Sequence, residues 1–435
     1  MRTFTAVLLM LSSLTAWAAD APSLDFAKAT KEYLKADANG RTTLLAGWSN
    51  ADRLNSAADV KKWTQHILTE IRKAAGPLKL EKTDMLAKLD AKRAAFNKAM
   101  GIGSEMIATL PTPGGPMRVV VLEGKGKASP ALISLHGGGN VGGDHPGSLD
   151  NEMAWGWGLI RTKMIPSVPF RMLPRCIDDK ATNAWILESE AQAVEAALDA
   201  IVRREDIDQN RLYLMGTSMG GFGTWKFASI MADRFAGIAS LSGGCTVGEA
   251  ELSNLRNTVF NVYIGEKDSG RLPAARKGRD ILVGLKAKDA DGYKMTYKEY
   301  PNVGHELSDG IFADVDAFFK ATVRVAAPRI VVWNPTTTWR KRFYNLGIDA
   351  PAKGMEVRAE MGADNTITIT SKQVSALTLY LNDRLVDFKK PVKVVCNGKE
   401  VFAGEVQQHF AVLLETLEDR CDAEMCYTVK ISVAP

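Results

Sequence analysis

Arg211-Leu212-Tyr213-Leu214-Met215-Gly216-Thr217-Ser218-Met219-Gly220-Gly221-Phe222-Gly223-Thr224-Trp225 decides how the rest of this 435-residue chain is read. Residues 211–215 form a short apolar run, the pattern of a buried strand, and residues 222–231 have the composition of a helix. Between them stands G-x-S-x-G, at Gly216, Ser218 and Gly220. Alone, the pentapeptide is a weak signal, since a glycine-rich turn can carry a structural serine. Between a strand and a helix it describes a tight turn whose central residue is strained and exposed.

The same alternation extends in both directions. Strands are expected at 117–122, 131–135, 235–241, 258–264 and 295–300, and helices at 185–203 and 308–325. Alternating strands and helices of this kind build a largely parallel sheet covered on both faces.

A serine hydroxyl becomes a useful nucleophile only when a base takes its proton. The chain has five histidines: His66, His136, His145, His305 and His409. On a strand–turn–helix serine, the order along the chain is serine, acid, histidine. Only His305 and His409 follow Ser218, and only His305 falls within the alternating segment, just after its last strand. The acid should come from the loop after the preceding strand, Val262-Tyr263-Ile264-Gly265-Glu266-Lys267-Asp268. Asp268 is the choice and Glu266 its rival. An acid there would orient the imidazole and stabilise its charged form.

His136-Gly137-Gly138-Gly139 directly follows a strand. Amides in such a loop can point at an oxygen on which negative charge develops. Gly138 is the expected donor, with the amide of Met219 as its partner, and His136 is expected to organise the loop without moving protons. Gly137, Gly139 and Gly142 also fit the spacing of a dinucleotide fingerprint, but that motif requires a helix opening on its third glycine. Here Gly143-Asp144-His145-Pro146-Gly147 reads as loop. Residues 140–183 read as a long irregular segment holding Trp155, Trp157, Pro166, Phe170 and Arg175, either a binding loop or packing beneath one.

Leu135-His136-Gly137-Gly138-Gly139, Pro174-Arg175, Trp185, 208–214 (Asp-Gln-Asn-Arg-Leu-Tyr-Leu) and 216–225 together resemble one group of the α/β-hydrolase superfamily. These are the secreted polyhydroxybutyrate-depolymerase-like and feruloyl-esterase-like serine esterases, near the prolyl-oligopeptidase-like family. The resemblance covers about residues 117–325. It implies an α/β-hydrolase sheet, a triad of Ser218, Asp268 and His305, no metal and no cofactor. The implied substrate is a small-molecule or polymer-linked ester, on a polysaccharide or a polyester. A prolyl-oligopeptidase-like peptidase is the alternative, although that family carries a β-propeller ahead of its catalytic domain and too few residues precede 117 for one. A non-catalytic binding protein on a hydrolase scaffold is the third reading, disfavoured because all three triad residue types occur in order.

The flanks differ in texture. Residues 20–115 are expected to be a helical extension, with helices at 28–35, 57–74 and 83–100 and a turn cluster at 111–116, serving as a cap or as packing. Residues 116–326 are the expected catalytic domain. Residues 327–435 are expected to form a small β-sandwich-like domain without helices, with strands at 365–370, 376–381, 392–395 and 427–433. Its expected role is substrate docking, packing or dimerisation into a homo-oligomer.

Arg2, an apolar run at 6–14 and Ala16-Trp17-Ala18 fit an export signal, with the mature protein expected to begin near Ala19 or Asp20. The run is too short to span a bilayer, so a secreted or periplasmic protein without stable membrane insertion is expected. Hydrophobic residues make up 46% of the chain and charged residues 24%, enough for a sizeable core. The net charge of +5 comes with no long basic run, which gives nucleic acid no support as a partner. The five cysteines leave at least one thiol unpaired within the chain. Cys421 and Cys426 are spaced either for a staple or for two buried thiols.

Overall fold

The computed structural model describes residues 24–48, 51–84, 95, 98, 101, 104–122, 128–138, 147–178, 184–246 and 249–435. The export segment expected at 1–19, together with His145, Gly139 and Gly142, lies outside them.

The alternation in the sequence becomes a nine-stranded sheet ordered β1-β2-β3-β5-β4-β6-β7-β8-β9. Its strands are β1 (Glu81–Asp84), β2 (Ser104–Thr112), β3 (Gly115–Leu122), β4 (Ser129–Leu135), β5 (Phe170–Pro174), β6 (Ile207–Thr217), β7 (Gly237–Leu241), β8 (Val259–Gly265) and β9 (Met295–Tyr300). Pairing is antiparallel from β1 to β5 and parallel from β5 to β9. With the serine turn at the carboxyl end of central β6, this is an α/β-hydrolase sheet.

The central strands are apolar where they run between the two cores, as in Leu212–Met215 of β6, because both faces are covered there. Within β6, Leu212 and Leu214 enter one core, while Tyr213 and Met215 enter another. The first core receives α5 (Glu188–Val202), α6 (Met219–Met231) and α7 (Leu272–Lys288). The second receives α8 (Asp309–Ala321) through Ile311, Phe312, Val315 and Phe319.

Three expectations need correction. The stretch 81–112 contributes β1 and β2 to the sheet, so the N-terminal extension is not wholly helical, and the helix expected from 83 begins inside β1. β1 is the edge strand, where little apolar surface is required, and it reads Glu-Lys-Thr-Asp. The segment 140–183 is not irregular throughout, since it contains α4 (Gly147–Lys163) and β5. Trp155 and Phe170 are buried core residues there, whereas Trp157 is exposed. The C-terminal part does contain a helix, α9 (Phe410–Arg420), whose Phe410, Leu413, Leu414 and Leu417 form a buried stripe of helical period.

Around α9 stand a five-stranded sheet, β10 (Ile330–Trp333), β13 (Glu356–Met361), β14 (Thr366–Lys372), β16 (Val392–Cys396) and β17 (Lys399–Gly404), and a four-stranded one, β11 (Arg342–Phe343), β12 (Leu346–Gly347), β15 (Leu377–Leu381) and β18 (Val429–Val433). The N-terminal helices α1 (Phe26–Lys35), α2 (Ala38–Gly47) and α3 (Ala57–Ala75) pack on α9. Phe26 stacks on Phe410 with ring centroids 4.3 Å apart, and the edge of Trp63 meets the same ring. Buried Asp52 accepts from His409 Nδ1 at 2.9 Å and from the Ala411 amide at 3.0 Å, so it caps α9 from outside.

Buried charge joins this C-terminal part to the nine-stranded sheet. Asp233, just after α6, lies 2.7 Å from Arg340 and 2.5 Å from Arg420, and accepts from the Tyr344 amide. Burial would raise its carboxyl, but the two guanidiniums and the amide overcome this and hold its pKa at about 2. Arg324 makes a second buried pair, with Asp422 at 2.8 Å.

All five cysteines are buried and reduced, so no staple joins Cys421 to Cys426. The Cys426 thiol donates instead to the Ala423 carbonyl at 3.1 Å. No helix among the described residues is long and apolar enough to cross a membrane.

The Asp233 network yields a stability prediction. Asp233→Asn should cost about 3–5 kcal/mol, because it strands two buried guanidiniums. Urea unfolding at neutral pH measures this, and a loss below about 1 kcal/mol would show that water already screens the pairs.

Candidate active site

The strand–turn–helix at 216–219 is closed by backbone contact. A Cβ on Gly216 would lie 2.0 Å from the Gly220 carbonyl oxygen, and one on Gly220 would lie 2.2 Å from that of Leu135. Only glycine fits at either position. The turn drives Ser218 to φ 57° and ψ −113°, a strained conformation for a residue with a side chain. Its amide donates to the Leu241 carbonyl of neighbouring β7 at 2.9 Å, and its own carbonyl accepts from Phe222 at 3.0 Å. The serine is thereby fixed between β6 and the first turn of α6.

Parallel register then brings the distant segments together. Leu135, the last residue of β4, pairs with Gly216, so the loop from His136 emerges beside the serine turn. Gly265 at the end of β8 pairs with Tyr300 at the end of β9. Beyond that pair the Lys267 amide donates to the Val303 carbonyl at 2.8 Å, and the loops bearing Asp268 and His305 run side by side.

His305 Nε2 lies 3.0 Å from Ser218 Oγ, and its Nδ1 lies 2.7 Å from Asp268 Oδ2. In the neutral ring, one tautomer suits both contacts: Nδ1–H donates to the carboxylate, and Nε2 accepts the serine hydroxyl. Asp268 is 3% exposed, whereas the His305 side chain is 41% exposed. The carboxylate is thus shielded from water while the imidazole can meet a ligand. Glu266, the rival acid, instead accepts from the Asn302 amide at 3.1 Å on the surface.

Gly138 lies against Met219, where a Cβ would be 3.2 Å from the Met219 Cβ. The two expected amide donors therefore border the same space. Met219 also opens α6, where the helix dipole favours negative charge.

His136 is buried and serves the loop. Its Nδ1 donates to the Gly137 carbonyl at 2.7 Å, its Nε2 accepts from the Cys176 amide at 3.4 Å, and its own carbonyl accepts from Trp185 Nε1 at 3.0 Å. Burial pulls its pKa down to about 4, against the Gly137 hydrogen bond and with help from the charge of Arg175. His136 is therefore neutral near pH 7. The other two described histidines stand apart from the serine: His66 packs on Trp63, and His409 pairs with Asp52.

Two cations here were not singled out from the sequence. Arg271, three residues beyond Asp268, approaches its second oxygen at 3.4 Å. Arg161 on α4 reaches the edge of Gly137. The i,i+3 spacing could have marked the first, while the second was hidden in a segment read as loop.

No family model matches the chain, and no curated protein matches it. It is similar to several solved structures. A thermostable esterase is 20% identical with a TM-score of 0.39, over 50% of this chain and 63% of that one. A hyperthermophilic esterase from Pyrobaculum calidifontis is 13% identical with a TM-score of 0.40, over 62% of this chain and 99% of that one. Dipeptidyl peptidase 4 from Porphyromonas gingivalis is 12% identical with a TM-score of 0.37, over 50% of this chain and 35% of that one. The chain thus spans less than two thirds of the first of these proteins, and the α/β-hydrolase reading rests on sheet order and site position.

The depressed pKa of His136 sets a pH dependence. Between pH 6.5 and about 4 the unfolded histidine binds a proton that the folded one refuses, so stability falls as pH falls through that window. The term is present in full above pH 6.5 and amounts to on the order of 3 kcal/mol. In urea unfolding at several pH values, the wild type should lose stability across the window faster than His136→Gln. Parallel curves would show that the loop opens to water before it unfolds.

Proposed function

We propose that this chain is a serine hydrolase that cleaves carboxylic esters through an acyl-enzyme, with Ser218 as nucleophile, His305 as general base and acid, and Asp268 as the residue that orients it. The observation that carries the proposal is the unbroken contact from Ser218 Oγ to His305 Nε2 at 3.0 Å and from His305 Nδ1 to Asp268 at 2.7 Å. It is mounted on a strained turn beside two candidate amide donors.

The chemistry follows from that contact. Ser218 Oγ attacks the ester carbonyl carbon as its proton passes to His305 Nε2. Negative charge moves to the carbonyl oxygen, where the amides of Gly138 and Met219 receive it. His305 then gives its proton to the departing alcohol as the carbon–oxygen bond breaks. In the second half, water loses a proton to His305, attacks the acyl carbon and releases the acid with Ser218 restored. Asp268 stays ionised and stabilises the imidazolium formed in each half.

Polysaccharide-linked esters and polyesters are the proposed substrates, on the strength of the sequence resemblance. Export is part of the same reading, supported by Arg2, the apolar run at 6–14 and Ala16-Trp17-Ala18.

The test is turnover of p-nitrophenyl acetate and methyl ferulate by the wild type, Ser218→Ala and Asp268→Asn. Serine loss should lower kcat by about 10³-fold or more, and asparagine at 268 by about 10²–10⁴-fold, with KM little changed. Turnover of proline-containing peptides without ester turnover would favour a peptidase. An inert wild type, or a fully active Ser218→Ala, would remove the nucleophile.

A further inference from the structure

α4 crosses the loop that follows β4, and its close approach there has a visible cause. A Cβ at Gly158 would lie 2.8 Å from the His136 Cβ, so only glycine lets the helix settle against the loop. Trp155 holds the contact from the preceding turn, buried with its Nε1 donating to the Leu173 carbonyl at 3.1 Å. Position 161 lies one helical turn beyond Gly158, on the same face. That spacing carries the Arg161 side chain along the loop from His136 to Gly137. The point where a Cβ on Gly137 would sit is 3.8 Å from Arg161 Nη1 and 3.6 Å from the Ser218 Cβ. The guanidinium and the nucleophile therefore flank one space.

Arg161 differs from the other cations around the site. Arg271 approaches Asp268, and Lys163 pairs with Glu105 at 3.2 Å. The guanidinium of Arg161 meets no carboxylate and donates no hydrogen bond among the described residues, although the residue is only partly exposed. Burial accordingly lowers its pKa. Withdrawing a charge from water without a partner is costly, and a partner is often supplied by a ligand. The planar fork of a guanidinium matches the two oxygens of a carboxylate. Asp268 is already engaged by His305 and Arg271.

We infer that Arg161 anchors a free carboxylate on the substrate, so that the preferred esters are anionic ones, either half-esters of dicarboxylic acids or phenolic or hydroxy acids acylated on their hydroxyl group. Arg161 is on this account a specificity-determining residue that binds substrate away from the bond that breaks. The inference rests on the serine-hydrolase reading.

Two matched ester pairs test it. Phenyl acetate and 3-acetoxybenzoate differ by a carboxylate on the alcohol side. 4-Nitrophenyl benzoate and its 4-carboxy analogue differ by one on the acyl side. The wild type should favour the charged member of at least one pair in kcat/KM. Arg161→Gln should reduce that charged-to-neutral ratio by about tenfold or more, chiefly through KM, and Arg161→Lys should restore part of it. A structural role would lower both members together and leave the ratio intact, which would overturn the inference. So would a wild-type preference for the neutral member of both pairs. Ser218-dependent turnover of the neutral esters without charge discrimination would sink the role of Arg161 alone. Absence of turnover with all four esters would sink the serine-hydrolase reading and this inference with it.

Discussion

The contact between the backbones of Gly216 and Gly220 is the constraint on which the site depends. With a Cβ position 2.0 Å from a carbonyl oxygen, no other residue fits at 216. Because that contact is made, Ser218 is held at φ 57° and its side chain stands clear of the sheet. Strain of this kind costs on the order of 1–3 kcal/mol and lasts only where the surroundings over-determine it. Here they do: the Ser218 amide is held by Leu241, its carbonyl by Phe222, and the turn is wedged against Leu135.

Everything else at the site is aligned to that serine by parallel register. Adjacent parallel strands end at the same edge, so the loops after β4, β6, β8 and β9 emerge together. On the proposed reading, the loop after β4 brings one amide donor, the turn after β6 the nucleophile and the second donor, the loop after β8 the acid and the loop after β9 the base. The site is assembled from sequence positions far apart, yet no long segment has to be ordered to bring them together. Behind the sheet, the C-terminal strands and the N-terminal helices share one core with α5, α6 and α7, and the buried pairs of Asp233 and Asp422 lie within that junction. These flanks pack on one another around α9, and Asp52 and Phe410 form the contact.

The legible parts of the sequence were those where steric demand restricts residue choice. Glycines at 216 and 220 flanking a serine, between a β-rich apolar run and a helix, leave few geometries open. The order serine, acid, histidine singled out His305, and the structure brings Asp268 rather than Glu266 to it. The parts that escaped were those where several physical terms compete. In α4, Gly156 and Gly158 lower helix propensity, and Gly158 is required by a tertiary contact with His136 that no local pattern reveals. β1 reads Glu-Lys-Thr-Asp and owes its strand conformation to pairing with β2. The stripe of α9 lies between strands in a region of β-branched residues, so its period was masked by its neighbours. Arg161 was invisible for the same reason as α4, since its meaning comes from the loop it meets across space.

The most direct test of the central claim is mass spectrometry after treatment with a fluorophosphonate, which reacts fast with a hydroxyl activated as a nucleophile. The account predicts one phosphonyl group per chain, carried on Ser218 within tryptic peptide 212–226, and none after His305→Ala. An unmodified wild-type chain, or a group attached to another side chain, would contradict it.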